Sequence, residues 1–172
     1  MARFNLRVYA LIINEFDEIL LSDECRFGQF FSKFPGGGVE ANEGIQAALH
    51  RELKEELNLE VPHAEFFYVN DFYQASAFDN SRLVAFYYLI QLPKSTLLLN
   101  DNYTIPFSEE TEKQRWVPLK VLRNETLTFP IDKTWLKISI PTLCFRNARA
   151  TAPSATRAAV SRALARSKIG RA

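Results

Sequence analysis

The segment from residue 45 to residue 57 constrains the fold of this chain more than any other. Its apolar residues recur every four positions, at Ile45, Leu49, Leu53 and Leu57. This spacing predicts an amphipathic helix with one apolar stripe. Gly44 is acceptable at the N-cap, and Asn58 tolerates the left-handed conformation that closes a helix.

Strand-like segments precede and follow this helix. Runs of β-branched and aromatic residues predict strands at 7–14, 18–22, 65–70, 72–78, 82–92 and 115–118. A turn at Phe16 and Asp17 joins the first two strands, and turn residues at 79–81 predict a hairpin of 72–78 with 82–92. The remaining segments are predicted as a loop at 23–32, a long polar loop at 93–113 and a second helix at 132–140. This order predicts a mixed sheet covered by helices, α/β or α+β.

The charge of the chain is divided between a body and a tail. The net charge is +1, but the segment from Arg146 onward holds seven basic residues and no acidic ones, which leaves 14 basic and 20 acidic residues, a net charge of −6, for residues 1–145. We expect residues 1–145 to form the folded domain, because the tail 146–172 has few large apolar residues to bury. The tail is interpreted as a non-native extension, a disordered native tail or a basic arm for nucleic acid.

Several classes of protein are disfavoured by the sequence. No stretch of about 18 apolar residues is present, so no membrane span is expected. Met1 to Arg7 is not followed by the apolar core of a signal peptide, which makes a cytoplasmic protein the expectation. Cys25 and Cys144 are too few for a disulfide framework or a zinc site. The acidic body gives no reason to expect nucleic-acid binding.

The predicted helix carries three carboxylates on one face. Glu52, Glu55 and Glu56 stand at positions i, i+3 and i+4, where like charges destabilise a helix. A divalent cation reverses this effect, and Mg²⁺ prefers a few carboxylates together with water and substrate phosphates. The alternative is a solvated acidic face. The glycines Gly36 to Gly38 permit close backbone approach to an anion or a metal, which favours the metal interpretation.

Taken together, the glycines and the helix resemble the signature of the Nudix family. Gly37 is followed after five residues by Glu43, and seven more residues lead to the run Arg51-Glu52-Leu53-Lys54-Glu55-Glu56-Leu57-Asn58-Leu59. Asn58 departs from the glycine that is usual in the family, but asparagine is the next-best residue for closing a helix. The resemblance implies an α/β fold, a Nudix-like α/β/α sandwich with a mixed sheet.

The resemblance also implies roles for individual residues. It makes Glu52, Glu55, Glu56 and the carbonyl of Gly36 the ligands of Mg²⁺, for which Mn²⁺ can substitute, and it places substrate phosphates at Gly37 and Gly38. Glu43 and Arg51 are implied as an ion pair that orients the carboxylates. The general base is implied to be Glu52 or a glutamate of the long loop, where Glu109, Glu110 and Glu112 are candidates and Glu110 is selected.

The implied reaction is attack of water on phosphorus, which cleaves the diphosphate linkage of a nucleoside diphosphate joined to another group. The substrate is a small molecule, and a homodimer is left open. One alternative is a non-catalytic Nudix-like domain that binds or senses nucleotides; another is nucleic-acid binding through the tail. Four aromatic residues are interpreted as either base-stacking or core residues: Phe34, Tyr68, Phe72 and Tyr73.

Overall fold

Strand β1, Phe4–Ile13, organises the sheet. In the computed structural model, which describes residues 3–79, 81–97, 99 and 103–134, β1 pairs in parallel with β6, Arg82–Gln91, along its whole length. On its other side it pairs antiparallel with β4, Gly36–Gly38, and with β2, Glu18–Arg26. Parallel and antiparallel neighbours make the sheet mixed, as predicted.

Three further strands complete the described sheet: β3 at Gln29–Lys33, β5 at Glu65–Val69 and β7 at Glu112–Pro118. The order is β3-β2-β1-β6-β5, and β4 and β7 pair with β1 and β2. Short 3₁₀ helices occur at Lys94–Thr96, Leu119–Val121 and Asn124–Thr126. Contacts between Cα atoms divide the chain after Lys133, and the architecture given above is that of the first unit.

Helix α1, Ile45–Leu57, has the predicted bounds and both predicted caps. Gly44 is the N-cap, and Asn58 closes the helix in the left-handed region with φ 50°. Leu49 and Leu53 are completely buried. They pack in one core cluster with alternate β1 residues, Val8, Ala10 and Ile12. The apolar stripe therefore fixes which side of α1 faces the sheet, and the acidic residues are left at the edge of that contact.

Tyr9 of β1 packs among aromatic residues from other parts of the sheet. The Tyr9 ring lies 5.5 Å from the Tyr87 ring, and the Phe34 ring packs edge-on against Tyr87. The Tyr87 hydroxyl donates a hydrogen bond to buried Asp132 at 2.7 Å. Phe34 is therefore a core residue.

The predicted loop at 23–32 is wrong. β2 continues to Arg26, and β3 starts at Gln29. Phe27 and Gly28 both have positive φ, 53° and 69°, and form the tight turn between the two strands. The polar sequence was misleading because Asp23, which reads as a loop residue, is buried in the sheet and bonded to Arg115 at 2.6 Å.

The predicted strand at 72–78 is also wrong, apart from an isolated bridge between Ala75 and Arg82. The partner of β6 in the sheet is β5. Asn70 ends the regular pairing, since its side-chain amide donates to the carbonyls of Phe72 and Leu83. A side chain that bonds the backbone in this way replaces the strand ladder with a turn.

Two predictions near the end of the described region have different outcomes. The strand predicted at 115–118 is confirmed and begins three residues earlier, at Glu112. Residues 130–134 are helical, whereas residues 135–140 of the predicted second helix, and the boundary at 145, lie outside the described residues. In the part of the chain that the structure describes, no helix is long and apolar enough to cross a membrane.

Candidate metal and phosphate site

The glycine run places a strand directly against α1. Gly36 has φ 126°, and a Cβ on it would lie 3.0 Å from Tyr9 Cα and still closer to the Val8 carbonyl oxygen. A Cβ on Gly37 would lie 2.5 Å from Glu52 Oε2. The absence of side chains thus lets β4 approach the backbone of β1 on one side and a helix carboxylate on the other.

Arg51 joins the first group of carboxylates, which we call the Arg51 cluster: Arg51, Glu43, Glu52 and Glu55. Its guanidinium forms a fork with Glu43, with Nη2 to Oε1 at 2.7 Å and Nε to Oε2 at 3.1 Å. Nη1 donates to Glu52 at 3.0 Å and to Glu55 at 3.1 Å. The hydrogen bond from Arg51 lowers the pKa of Glu43. The predicted ion pair is therefore present, and it is bidentate.

Arg51 also connects the helix to the glycine strand, because Nη2 donates to the carbonyl of Gly38 at 2.9 Å. Glu52 is mostly buried, with 13% of its side chain exposed, whereas 58% of Glu55 is exposed. The interpretation as a fully solvated acidic face is therefore excluded for Glu52. The carboxylate of Glu55 faces solvent, so that interpretation remains open for Glu55.

Lys33 joins a second group, which we call the Lys33 cluster: Lys33, Glu24, Glu56 and Glu112, with the carbonyl of Gly36. The Lys33 ammonium lies 3.1 Å from Glu56 and 3.2 Å from the Gly36 carbonyl oxygen. It lies 3.5 Å from Glu24 and from Glu112. Glu56 also accepts the Gly36 N–H at 2.8 Å. Three strands and α1 thus direct oxygen atoms to one cation, which a fourth strand, β3, supplies.

The Lys33 cluster has more negative than positive charge, and burial is the largest influence on the pKa of Glu56 and of Lys33 within it. Burial raises the pKa of Glu56 to about 7, with Lys33 opposing the shift and Glu112 adding to it. Burial alone lowers the pKa of Lys33, but Glu56 and Glu112 outweigh it and hold the pKa above its ordinary value. Lys33 is therefore a permanent cation, whereas Glu56 is a carboxylate that an additional cation would favour in its charged form.

The described residues fit a divalent ion in part. In their present rotamers, no three acidic, histidine or cysteine side chains of the described chain are grouped closely enough to hold a metal. Arg51 draws Glu52 and Glu55 to one side, and Lys33 holds Glu56 on the other. Oxygen donors of this kind nevertheless suit a hard cation, and the bare backbone of Gly37 leaves room for the Glu52 carboxylate beside it. The ligand set stays a prediction.

The loop glutamates separate in the structure. Glu110, the selected base, is exposed, and Glu109 is 77% exposed and pairs with Lys113 at 3.4 Å. Glu112 instead lies on β7 beside Lys33 and accepts a hydrogen bond from Ser22. The selection of Glu110 from the sequence is therefore not supported, because the pairing of β7 with β2 places Glu112 opposite Glu24 in the Lys33 cluster.

A cavity of about 280 Å³ adjoins the Lys33 cluster. Its lining includes three basic residues, Arg7, Arg26 and Lys33. It also includes two aromatic residues, Phe27 and Phe78, which are 75% and 59% exposed. The sequence did not single out these two aromatic residues. Of those it did, Tyr73 is exposed and stacks under the Arg82 guanidinium, and Tyr68 packs on Tyr87.

Sequence comparisons give three results. The family model described as "NUDIX domain" matches residues 3–137. An 8-oxo-dGTP diphosphatase of Haemophilus influenzae is 32% identical over 111 residues, which are 62% of this chain and 71% of that protein. An RNA pyrophosphohydrolase of Shewanella frigidimarina is 36% identical over 62 residues, 36% of this chain and 35% of that one. The chain thus spans about a third of the length of that relative.

Solved structures show the same fold at low identity. A MutT structure from work on Aliivibrio salmonicida and Vibrio cholerae aligns with a TM-score of 0.57 and 24% identity, covering 81% of this chain and 98% of that one. The NUDIX domain of Shewanella oneidensis NrtR, solved with ADP ribose, aligns with a TM-score of 0.57 and 17% identity, covering 83% and 90%. These likenesses support the α/β class predicted from sequence.

Proposed function

Because this chain belongs to the Nudix family, we propose that it hydrolyses the diphosphate linkage of a nucleoside diphosphate joined to another group, with Mg²⁺ or Mn²⁺ as cofactor. Members of the family generally use divalent metal ions. The observation that carries the proposal is the convergence of the Gly36 carbonyl and the Glu56 carboxylate on one cation, the Lys33 ammonium. Both groups were selected from sequence as metal ligands.

Glu52, Glu55, Glu56 and the Gly36 carbonyl would hold the ion. When bound, the ion neutralises phosphate charge and lowers the pKa of the attacking water. Glu52 and Glu56 are mostly buried, so their negative charge is weakly screened by water. Glu55 is exposed and held only by Arg51, and we assign it the weaker contact. Gly37 and Gly38 are proposed to let a substrate phosphate approach the backbone of β4 closely.

Arg51 and Glu43 are proposed as positioning residues. The two-pronged bond between them fixes the guanidinium, and its remaining N–H groups hold Glu52 and the Gly38 carbonyl. This arrangement restricts the rotamer of Glu52 before substrate arrives. A carboxylate that is already oriented loses little conformational entropy when the site is completed.

A carboxylate must take the proton of the attacking water. Glu52 is our first candidate, because it is buried and lies against Gly37. Between the loop candidates, the geometry supports Glu112 over Glu110, since Glu112 lies 3.5 Å from the ammonium that also contacts Glu56. Glu110 could act only after a movement that brings it to the site.

The adjoining cavity supports a nucleotide as the substrate. Arg7 and Lys33 offer positive charge to phosphates, and the exposed rings of Phe27 and Phe78 offer flat apolar surface to a base. Two sequence relatives are named for action on RNA and on 8-oxo-dGTP, and one structural relative was solved with ADP ribose. The chemistry shared by these ligands is a nucleoside with phosphates, and we propose that class for this chain.

The proposal is tested by a hydrolysis screen over nucleotide sugars, dinucleoside polyphosphates, ADP-ribose and damaged nucleoside triphosphates, with Mg²⁺, Mn²⁺ or EDTA. Glu56→Gln should lower kcat on the best substrate by about 10³-fold or more while the fold persists. Glu60→Gln is the matched control, because Glu60 is 83% exposed and pairs with Lys54 outside the site.

Full activity of Glu56→Gln would contradict the metal assignment. Tight nucleotide binding by the wild-type protein without any hydrolysis would instead support the alternative of a non-catalytic binding or sensor domain. Retention of every carboxylate of the signature is the observation against that alternative.

A further inference from the structure

Lys33 occupies an unusual position for a lysine side chain. Its ammonium is surrounded by three carboxylates and one carbonyl, and only 7% of the side chain is exposed. A lysine in a purely structural ion pair needs one carboxylate. Here the ammonium contacts the two groups, Gly36 O and Glu56, that the proposed function gives to the divalent ion.

A lysine ammonium and a divalent ion compete for the same oxygen atoms. Each is a hard cation that draws in carboxylates and carbonyls, and two cations cannot share Glu56 Oε1 and Gly36 O at bonding distance without strong repulsion. The ion must therefore displace the ammonium from these two oxygens when it binds.

Charge favours a displacement in which the ammonium stays nearby. Glu24, Glu56 and Glu112 carry three negative charges when ionised, and Lys33 carries one positive charge, which leaves −3 + 1 = −2. One divalent ion brings the sum to zero only if the ammonium remains. Lys33 also lines the adjoining cavity together with Arg7 and Arg26, so its flexible side chain borders a space that the displaced ammonium could occupy.

We propose that Lys33 is a built-in competitor of the divalent ion, which the ion displaces from Gly36 and Glu56, and that the displaced ammonium then binds a phosphate of the substrate. The inference rests on the proposed function and adds a residue that lies outside the family signature. Lys33 would keep the carboxylates ordered in the absence of metal and would couple metal entry to phosphate binding.

The test uses the full chain after removal of metal with EDTA, and compares Lys33→Met with wild type. Titration with Mn²⁺, followed by electron paramagnetic resonance, should show affinity about tenfold or more higher in Lys33→Met, because no cation has to be displaced. Binding of inorganic pyrophosphate at saturating Mg²⁺ should be about tenfold or more weaker, because the ammonium is missing. A loss of structure would instead weaken the binding of both Mn²⁺ and pyrophosphate.

Two controls isolate the effect. Lys54→Met removes the same charge from α1, where Lys54 pairs with exposed Glu60, and both affinities should stay within about twofold of wild type. Lys33→Arg should keep pyrophosphate binding within about threefold, because it keeps the positive charge. If Lys33→Met does not fold, the double variant Lys33→Met with Glu24→Gln restores the net charge of the cluster. It is then compared with Glu24→Gln alone.

Mn²⁺ affinity in Lys33→Met that equals or falls below that of wild type would overturn the inference, as would unchanged pyrophosphate binding. Absence of Mn²⁺ binding in both proteins would overturn it as well. The hydrolysis screen tests the proposed function separately. If the two affinities shift in opposite directions but the protein hydrolyses no substrate, the role of Lys33 is supported and the proposed reaction is contradicted.

Discussion

The Arg51 cluster and the Lys33 cluster hold neighbouring carboxylates of one helix, but they are built in different ways. The residues of the Arg51 cluster all lie between positions 43 and 55, and 26% of the Arg51 side chain is exposed. The Lys33 cluster draws residues from positions 24 to 112 around an ammonium that is 7% exposed. The first is local and close to solvent, and the second is long-range and buried.

This difference separates orientation from affinity. Arg51 satisfies its carboxylates with directed N–H groups, and the pKa of Glu43 falls accordingly. Lys33 is a single point charge among three carboxylates, and burial leaves the pKa of Glu56 at about 7. We infer that the Arg51 cluster fixes geometry, whereas the Lys33 cluster stores the negative charge that attracts a cation.

The largest effect is expected at Gly36, which belongs to the Lys33 cluster. Gly36→Ala should lower the free energy of unfolding by about 3 kcal/mol, because φ 126° strains any L side chain and the new Cβ meets the backbone of β1. Urea unfolding measures the loss. Gly44→Ala is the control, since a Cβ there meets nothing within 4 Å; equal stability of the two variants would refute the close approach of β4 to β1.

Removal of Arg51 should lower the rate of hydrolysis more than it lowers the stability of the fold. Arg51→Met should reduce kcat/KM by about 10- to 100-fold, the range seen when partners that orient metal ligands are removed. Lys54→Met is the neighbouring control. The measurement is steady-state hydrolysis at saturating Mg²⁺. A rate equal to that of wild type would show that Glu52 needs no guanidinium to orient it.

Gly37 tests the same cluster more gently. Gly37→Ala places a Cβ against the Glu52 carboxylate, which is the end of a flexible side chain and can move aside at little cost in stability. We expect kcat to fall about tenfold while the melting temperature changes little. A pair of measurements, melting temperature and kcat, separates this outcome from that of Gly36→Ala. Large destabilisation by Gly37→Ala would place the two glycines in one class.

The smallest effect concerns pH, and the two clusters should respond with opposite signs. In EDTA, the pKa of Glu56 rises from 4.5 to about 7 on folding, so the folded state binds the extra proton and stability falls as pH rises through that window. Glu43, whose pKa falls on folding, contributes stability that is present above pH 4.5 and lost below it.

Glu56→Gln should therefore flatten the stability profile between about pH 4.5 and 7. Glu43→Gln should alter only the acid end of the profile. Denaturant titrations at a series of pH values measure both. A Glu56→Gln profile that keeps the wild-type slope between these pH values would show that Glu56 titrates normally.

The same contrast explains what the sequence could predict. Every member of the Arg51 cluster was predicted. Helix periodicity places Glu52 and Glu55 on one face, and the resemblance to the family signature implied Arg51 and Glu43. Of the Lys33 cluster only Glu56 and the Gly36 carbonyl were selected for the site. Glu112 was a loop candidate, but Glu110 was selected in its place. Glu24 and Lys33 were missed because β2, β3 and β7 bring them to α1, and local spacing does not report strand register.

The errors in the fold have the same origin. The turn at Phe27 and Gly28 has a positive φ at a phenylalanine, which residue preference does not anticipate. Asp23 and Ser32 gave the segment a polar composition, but their side chains bond to each other inside the sheet. Their polarity was satisfied by partners that the sequence does not reveal.

The parallel pairing of β1 with β6 also sets the order of events during synthesis. Each β1 residue faces a residue 78 positions later, since Phe4 pairs with Arg82 and Ile13 with Gln91. A chain that emerges from the ribosome therefore carries β1 with one edge unpaired until residue 91 is available, although the signature helix is already complete. Contacts of such long sequence separation form slowly. Substitutions in β6 that weaken this pairing should thus lengthen the interval in which β1 has an unpaired edge.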